Sequence, residues 1–440
     1  MDPEVGDFDR ADVLIDGDTI VGVGSDLVAD GAQVIDARGF IVMPGFVDTH
    51  RHMWQGQLRR MIPNVDISMY LGLRNAFAVE YRPEDSYAGT LATALGALYS
   101  GITTVQDYAH NTRSRFHADA EVEALGKAGI RAVYAYSPPE AGEWDQQWPD
   151  DLARLLEDLR DNPLVSLRMG QRCFSDVDNL TAERIQIARD LGIGMTLDPV
   201  AWDEGTAAIL DVAAQGLLGP DLVFVHCFDL SDRAWAAMGE AQVGVSLSPF
   251  VDELLGWGMG GLPTVQRALD VGIHPGLSVD IETTVPADVF TQMRALLAVQ
   301  RMRGSLGDPE LDRPQMTARE AIATATVHGA RTLSLVDECG TLSPGKKADL
   351  IMIDSSSPAI FPMNNAFGTV ALGADVHSVR AVLVSGSVRK WGDSLLGVDV
   401  DEIRSMVESS RDTLAARVGF ELDLFADYPG VDFGTHTLRV

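Results

Sequence analysis

Lysine is scarce in this chain: Lys127, Lys346, Lys347 and Lys390 are the only four among 34 basic residues, which face 64 acidic ones. The formal charge of −30 repels phosphate backbones, so no nucleic-acid partner is expected. The lysine deficit itself reads as a compositional habit rather than a mechanism. Cysteine is equally sparse. Cys173, Cys227 and Cys339 are scattered, odd in number and without a Cys-x-x-Cys pair, which argues against both a disulfide framework and a thiolate zinc site. No apolar run reaches the roughly 18 to 20 residues of a membrane span. The opening Met1-Asp-Pro-Glu-Val-Gly-Asp7 lacks the basic and apolar regions of a secretory signal. These absences predict a cytoplasmic protein with no membrane partner. Histidine is missing from the whole stretch between His117 and His226.

What is present is length and order. The 440 residues suffice for a barrel-sized domain plus a smaller one, and 46% hydrophobic content is ordinary for a globular core. From about residue 41 to 330, short apolar runs alternate with amphipathic stretches, as when parallel strands are joined by helical crossovers. The runs 41–49, 102–107, 130–137, 164–169, 193–197, 221–227, 243–248 and 276–280 make eight strands, which predicts an α/β fold, a (β/α)8 TIM-like barrel. Residues 12–40 carry a Gly-Asp hairpin signal, and 340–390 has the same strand character. The expected division is a composite β-sandwich domain from 1–40 and 340–395, a barrel over 41–339, and a C-terminal helix and tail over 396–440.

Active sites of such barrels sit at the C-terminal ends of the strands, so polar residues that close an apolar run carry the functional signal. The first run ends in His50-Arg51-His52. Alternate side chains of a strand share a face, so both imidazoles project together while Arg51 points away, a pair suited to zinc, iron or manganese. The second run ends near Asp107 and His110, the sixth at His226 and the eighth at Asp280. A single histidine there is more often structural; four coincident ends are harder to dismiss.

At these residues the chain resembles the amidohydrolase superfamily, in its cytosine-deaminase-like and chlorohydrolase-like branch. Pro44-Gly-Phe-Val-Asp-Thr-His-Arg-His52 looks like the first-strand motif, and Val225-His-Cys-Phe-Asp-Leu-Ser-Asp232 like the sixth. Leu277-Ser-Val-Asp280 is similar to the eighth-strand aspartate motif, and Pro344-Gly-Lys-Lys-Ala-Asp-Leu-Ile351 to the return into the sandwich. The resemblance implies one divalent metal, zinc before iron or manganese, bound by His50, His52 and Asp280. It further implies that Asp280 takes a proton from the metal-activated water, and that His226 polarises the substrate or joins the coordination. The implied activity is hydrolysis of a C–N bond, by deamination or amide hydrolysis, in a small cyclic or heteroaromatic substrate. A divalent ion lowers the pKa of bound water to about 7 and a neighbouring carboxylate shuttles protons, so the chemistry is sound in itself. Relatives usually carry another strand ahead of Met1, so the sandwich is expected to be one strand short, with a misplaced start codon as the dull cause.

The pattern breaks at the fifth strand, where the family's metal-binding histidine is absent. The run reads Gly192-Ile-Gly-Met-Thr196-Leu197-Asp198, with Thr196 or Leu197 in its place. Two readings stay open. Either Asp198 or His226 fills the gap, or the site is metal-poor and His50, His52, His226 and Asp280 serve as an acid/base cluster for elimination, isomerisation or cyclisation. Around this centre, Trp54 and Gln55 line the pocket or belong to the scaffold. Asp107 and His110 reach the cavity or hydrogen-bond a metal-binding histidine from behind. Phe250, Glu253 and Trp257 come from a glycine-rich stretch that reads as a lid or substrate wall. Glu282 and Thr283 fall near the centre with no assigned role, while His117, His274 and His328 read as structural. A small-molecule substrate is the expected partner, and a homodimer follows from base rates.

Overall fold

The apolar runs do become the strands of one parallel sheet. The structure, a computed structural model, describes the chain except residues 1, 3, 29, 65, 174–179, 256–263, 306–314 and 427–440. Strands β1 (Asp12–Asp16), β2 (Thr19–Gly24) and β3 (Phe40–Pro44) precede the barrel. Its eight strands are β4 (Phe46–Arg51), β5 (Ile102–Ala109), β6 (Arg131–Tyr136), β7 (Val165–Gln171), β8 (Met195–Val200), β9 (Leu222–His226), β10 (Gly244–Leu247) and β11 (Gly276–Leu277). Strands β12 (Leu350–Asp354), β13 (Val379–Val384), β14 (Ser387–Trp391) and β15 (Ser394–Leu395) follow.

Strands β4 to β11 lie side by side in chain order and all pair in parallel. Helices cover their outer faces, so residues on both faces of β4, β5 and β6 are buried, as a parallel sheet requires. The seam between first and last strands closes next to the candidate site. The Asp280 amide donates to the His50 carbonyl at 3.0 Å, and the His52 amide to the Asp280 carbonyl at 2.9 Å. Gly276 allows this approach, because a Cβ there would stand 2.4 Å from Thr49 Cγ2.

The run 41–49, expected as one strand, is two. Phe40–Pro44 pairs antiparallel with β12, whereas Phe46 onward pairs with β5. Gly45 makes the crossing, since a Cβ at this position would lie 2.1 Å from Thr103 Oγ1. An unbroken apolar run hides such a break, because both halves are buried. The smaller sheet is thus ordered β15-β14-β13-β12-β3, with the β1-β2 hairpin attached through Ile20 N to Lys346 O and Gly345 N to Ile20 O, both 2.8 Å. The architecture is a (β/α)8 barrel with a β domain built from both chain ends. A buried ion pair ties the two together: Arg131 of β6 reaches Asp349 at 2.7 Å. No described helix is long and apolar enough to cross a membrane.

Candidate metal centre and active site

Five side chains from four strand ends meet at the C-terminal mouth of the barrel. His50 is the inward residue near the end of β4 and His52 follows two positions later. Asp198 comes from β8, His226 ends β9, and Asp280 lies just past β11. His50 Nε2 stands 3.5 Å from Asp198 Oδ2 and 3.4 Å from Asp280 Oδ1. His52 Nε2 stands 3.6 and 3.2 Å from the same two oxygens. His226 Nε2 lies 3.3 Å from Asp198 Oδ1 and 3.9 Å from Asp280 Oδ2. All five residues are buried. His226 and Asp280 hold left-handed backbone conformations, φ +70° and +68°, which cost on the order of 1 kcal/mol or more each and aim both side chains inward.

Burial penalises the Asp198 carboxylate, yet His50, His226 and His52 hold it down to about 2. Asp280 is likewise kept far below the usual carboxylate range, burial being outweighed by His50 and His52. Burial opposes protonation of His52 and His226, but Asp280 beside the first, and Asp252 and Asp198 beside the second, raise both. A bound cation competes for these same lone pairs.

The donor set fits a divalent ion. Both ring nitrogens of His50, together with Asp198 Oδ1 and Asp280 Oδ1, are buried without a hydrogen-bond partner among the described residues. One ligand atom from each of His50, Asp198 and His226, or from each of His50, His52 and Asp280, lies within 4.8 Å of the others in its group. Imidazole and carboxylate ligands bind zinc at about 2.0 to 2.2 Å, so a small inward adjustment brings either group to an ion. The outer nitrogens are oriented from behind: His52 Nδ1 faces Tyr108 O at 3.1 Å and His226 Nδ1 faces Asp252 Oδ1 at 2.8 Å. Such contacts set the tautomer of a metal-binding histidine.

Of the two residues the sequence offered for the gap at the fifth strand, Asp198 enters the cluster from β8 and His226 from β9. Thr196 lies deeper on the same inward face and donates to Gln106 Oε1 at 2.8 Å, while Gln106 Nε2 donates to Thr49 O at 2.9 Å. With Ser246, Ser248 and Ser278 hydrogen-bonded beside Thr49, these residues form a polar floor below the centre. Arg51, facing outward between the two histidines, salt-bridges Asp48 at 2.7 Å and Glu282 at 2.8 Å, and Arg59 also reaches Glu282. Glu282, whose role the sequence left open, thus serves the scaffold.

The remaining expected residues divide. His110 packs edge-on near the centre, its ring centroid 4.1 Å from that of His52, with Nε2 buried and without a hydrogen-bond partner among the described residues. Burial, then His52 and Arg74, push its pKa well below the usual imidazole range. Gln55 is buried and bonds Tyr70 Oη at 3.0 Å. Trp54 packs edge-on to Tyr81 at 4.9 Å within a buried apolar cluster, and its Nε1 reaches toward His110 at 3.4 Å. Asp107 faces the helical layer, accepting from Met53 N at 3.1 Å. Burial and Glu121 push it well above the usual carboxylate range. Phe250 is partly buried on the helix Pro249–Leu254 and Glu253 on the same helix is exposed. Trp257 lies outside the described residues. Two neighbours escaped the sequence reading. Asp252 backs His226 from the helix after β10, and Tyr108 places its buried ring 5.3 Å from His50. Tyr108 was open to discovery, since it shares the inward face of β5 with Gln106.

A parallel eight-stranded barrel whose strand ends gather three imidazoles and two carboxylates defines a class of metal-centred barrel enzymes. The chain belongs to the amidohydrolase family, whose model matches residues 41–188 and 185–388. It is 25% identical to a 5'-deoxyadenosine deaminase of Methanosarcina acetivorans, over 95% of this chain and 96% of that protein. It is 29% identical to a 5-methylthioadenosine/S-adenosylhomocysteine deaminase of Symbiobacterium thermophilum, over 86% and 90%. Among solved structures, a zinc-bound adenosine deaminase from Xanthomonas campestris shares the fold with TM-score 0.80 at 21% identity, over 92% of this chain and 94% of that one. The zinc complex of atrazine chlorohydrolase from Arthrobacter aurescens gives TM-score 0.77 at 22% identity, over 93% and 97%.

Proposed function

We propose that the protein is a metal-dependent hydrolase of non-peptide C–N bonds that removes the exocyclic amino group of an adenine-type nucleoside. Support for the substrate class comes from the deaminases it resembles along nearly their full length. The observation that carries the chemistry is the convergence of three imidazole Nε2 atoms on the facing carboxylates of Asp198 and Asp280.

In this reading His50, His52, Asp198 and Asp280 would hold one divalent ion, zinc before iron or manganese. That ion supplies Lewis acidity, making water a competent nucleophile near neutral pH. Asp280 accepts the proton that water loses on adding to the amino-bearing ring carbon, and returns it to the departing nitrogen. His226, with Nε2 directed at the same space, accepts a hydrogen bond from the attacking water and orients it toward the ring carbon. The C–N bond breaks, ammonia leaves, and the second proton of the water passes from the added hydroxyl to the adjacent ring nitrogen, so the ring carbon keeps the oxygen as a carbonyl. His110, Gln55 and Tyr70 form the wall on the β4 and β5 side.

The test is ammonia release from adenosine, 5'-deoxyadenosine and 5'-methylthioadenosine, with an aminotriazine as a non-nucleoside control. Stoichiometric ammonia and loss of the adenine chromophore with at least one nucleoside are expected. No release above background from any nucleoside by metal-replete protein defeats the reading.

A further inference from the structure

We infer that Asp252, a residue outside the expected ligand set, is the positioning residue that commits His226 to one tautomer and one ring orientation. Asp252 Oδ1 lies 2.8 Å from His226 Nδ1, and its side chain is only 13% exposed. An ionised carboxylate accepts hydrogen bonds and donates none, so the contact requires the proton to sit on Nδ1. In the neutral ring that a bound cation favours, Nε2 then carries the lone pair, and it is this atom that lies 3.3 Å from Asp198 Oδ1. Without such a partner a neutral imidazole exchanges freely between its two tautomers, and only one of them presents a lone pair to the centre.

The surroundings hold Asp252 in place. It sits on the helix Pro249–Leu254, which starts immediately after β10. The amide of Phe250, two residues earlier, donates to Gln292 Oε1 at 3.1 Å on the long helix Val289–Ser305, and that anchors the turn bearing the carboxylate. His226 is constrained from its own side by the left-handed backbone at φ +70°. Carboxylate, imidazole and reaction space therefore form a line fed by two strands, β9 and β10, with the carboxylate behind and the reacting groups in front. The same logic of buried acid, oriented imidazole and reacting atom governs hydrolytic triads on other folds.

The assignment of the tautomer stands on geometry alone; its catalytic consequence rests on the deaminase reading. The test uses zinc-loaded full-length protein labelled with [15N]histidine and long-range proton–nitrogen correlation spectra, with His226 assigned by its loss in His226→Gln. The wild type is expected to show a protonated Nδ1 for His226. Asp252→Ala is expected to remove the fixed Nδ1 proton, and Asp252→Asn, which offers either an acceptor or a donor at nearly the same volume, to give mixed tautomers. Kinetically, Asp252→Ala is expected to lower kcat by about 10- to 100-fold with KM little changed. If Asp252→Ala does not fold, Asp252→Asn alone decides. A His226 nitrogen pattern that is the same with and without the carboxylate overturns the inference. Absence of deaminase activity in the wild type counts against the proposed reaction and leaves the nitrogen spectra to decide this point.

Discussion

At the scale of single residues the decisive position is 198. Thr196 and Asp198 both point inward from β8, because the side-chain period of a strand is two, and only height along the barrel axis separates floor from centre. Asp198→Ala is expected to weaken metal binding by at least about 10- to 100-fold, judged by what even outer contacts contribute, whereas Asp198→His keeps metal, as read by elemental analysis after dialysis. Thr196→His restores nothing. It buries a larger ring in the polar floor and removes the bond to Gln106, so a lower denaturation midpoint without a gain in metal content is expected. A second residue gives a pH signature away from the centre. Burial pushes Glu121 up to about 7, against hydrogen bonds from Tyr134 and Thr112 that favour its charged form. The folded state therefore keeps a proton on Glu121 that the unfolded chain releases near the ordinary glutamate value. Its contribution to stability is full at low pH and falls as pH rises through about 4.5 to 7, by on the order of 3 kcal/mol. Denaturant titrations at pH 5 and pH 7 are expected to show Glu121→Gln gaining on the wild type at the higher pH; an unchanged difference refutes this.

At the scale of elements, the centre depends on how β4 meets the segment after β11. The guanidinium of Arg51 joins two carboxylates that come from opposite sides of that seam, Asp48 and Glu282, all three buried. Arg51→Ala leaves Asp48 without its counter-charge and Glu282 with Arg59 as its partner, and a loss of about 3 to 5 kcal/mol in unfolding free energy is expected from denaturant titration. Which parts of this were legible in the sequence follows from locality. His50, His52, His226 and Asp280 close apolar runs, so strand periodicity and barrel geometry expose them. Asp198 was legible only as one of two candidates for the fifth-strand gap, because the stagger between neighbouring strands sets its height and no local pattern encodes stagger. Asp252 was unreadable for a different reason: its meaning depends on an imidazole 26 positions away on another strand. The break at Gly45 was hidden because a glycine inside an apolar run marks a bend only once the facing Thr103 is known.

At the scale of the whole molecule, the excess of acid over base acts on stability rather than on fold. A charge of −30 makes the compact state repel itself, and the Debye length falls to about 10 Å at 0.1 M salt. Thermal denaturation of metal-replete protein is expected to shift upward as sodium chloride rises from low ionic strength to about 0.15 M, the range in which most screening develops. A flat or falling Tm over that range contradicts the expectation. The eight-strand count, and with it the barrel, was legible because each helical crossover leaves its amphipathic stamp between buried strands. The smaller sheet was expected to draw on both chain ends, but its strand order was not legible, since β3 and β12 find each other across the entire barrel.

The seam hydrogen bonds between the main chains of His50, His52 and Asp280 have a kinetic corollary. The first and last staves of the barrel are brought together only when everything between them has been laid in order, so a half-folded chain owns no assembled centre. Refolding followed by metal capture should then report the final act of assembly, with uptake of the ion lagging behind the return of helical signal.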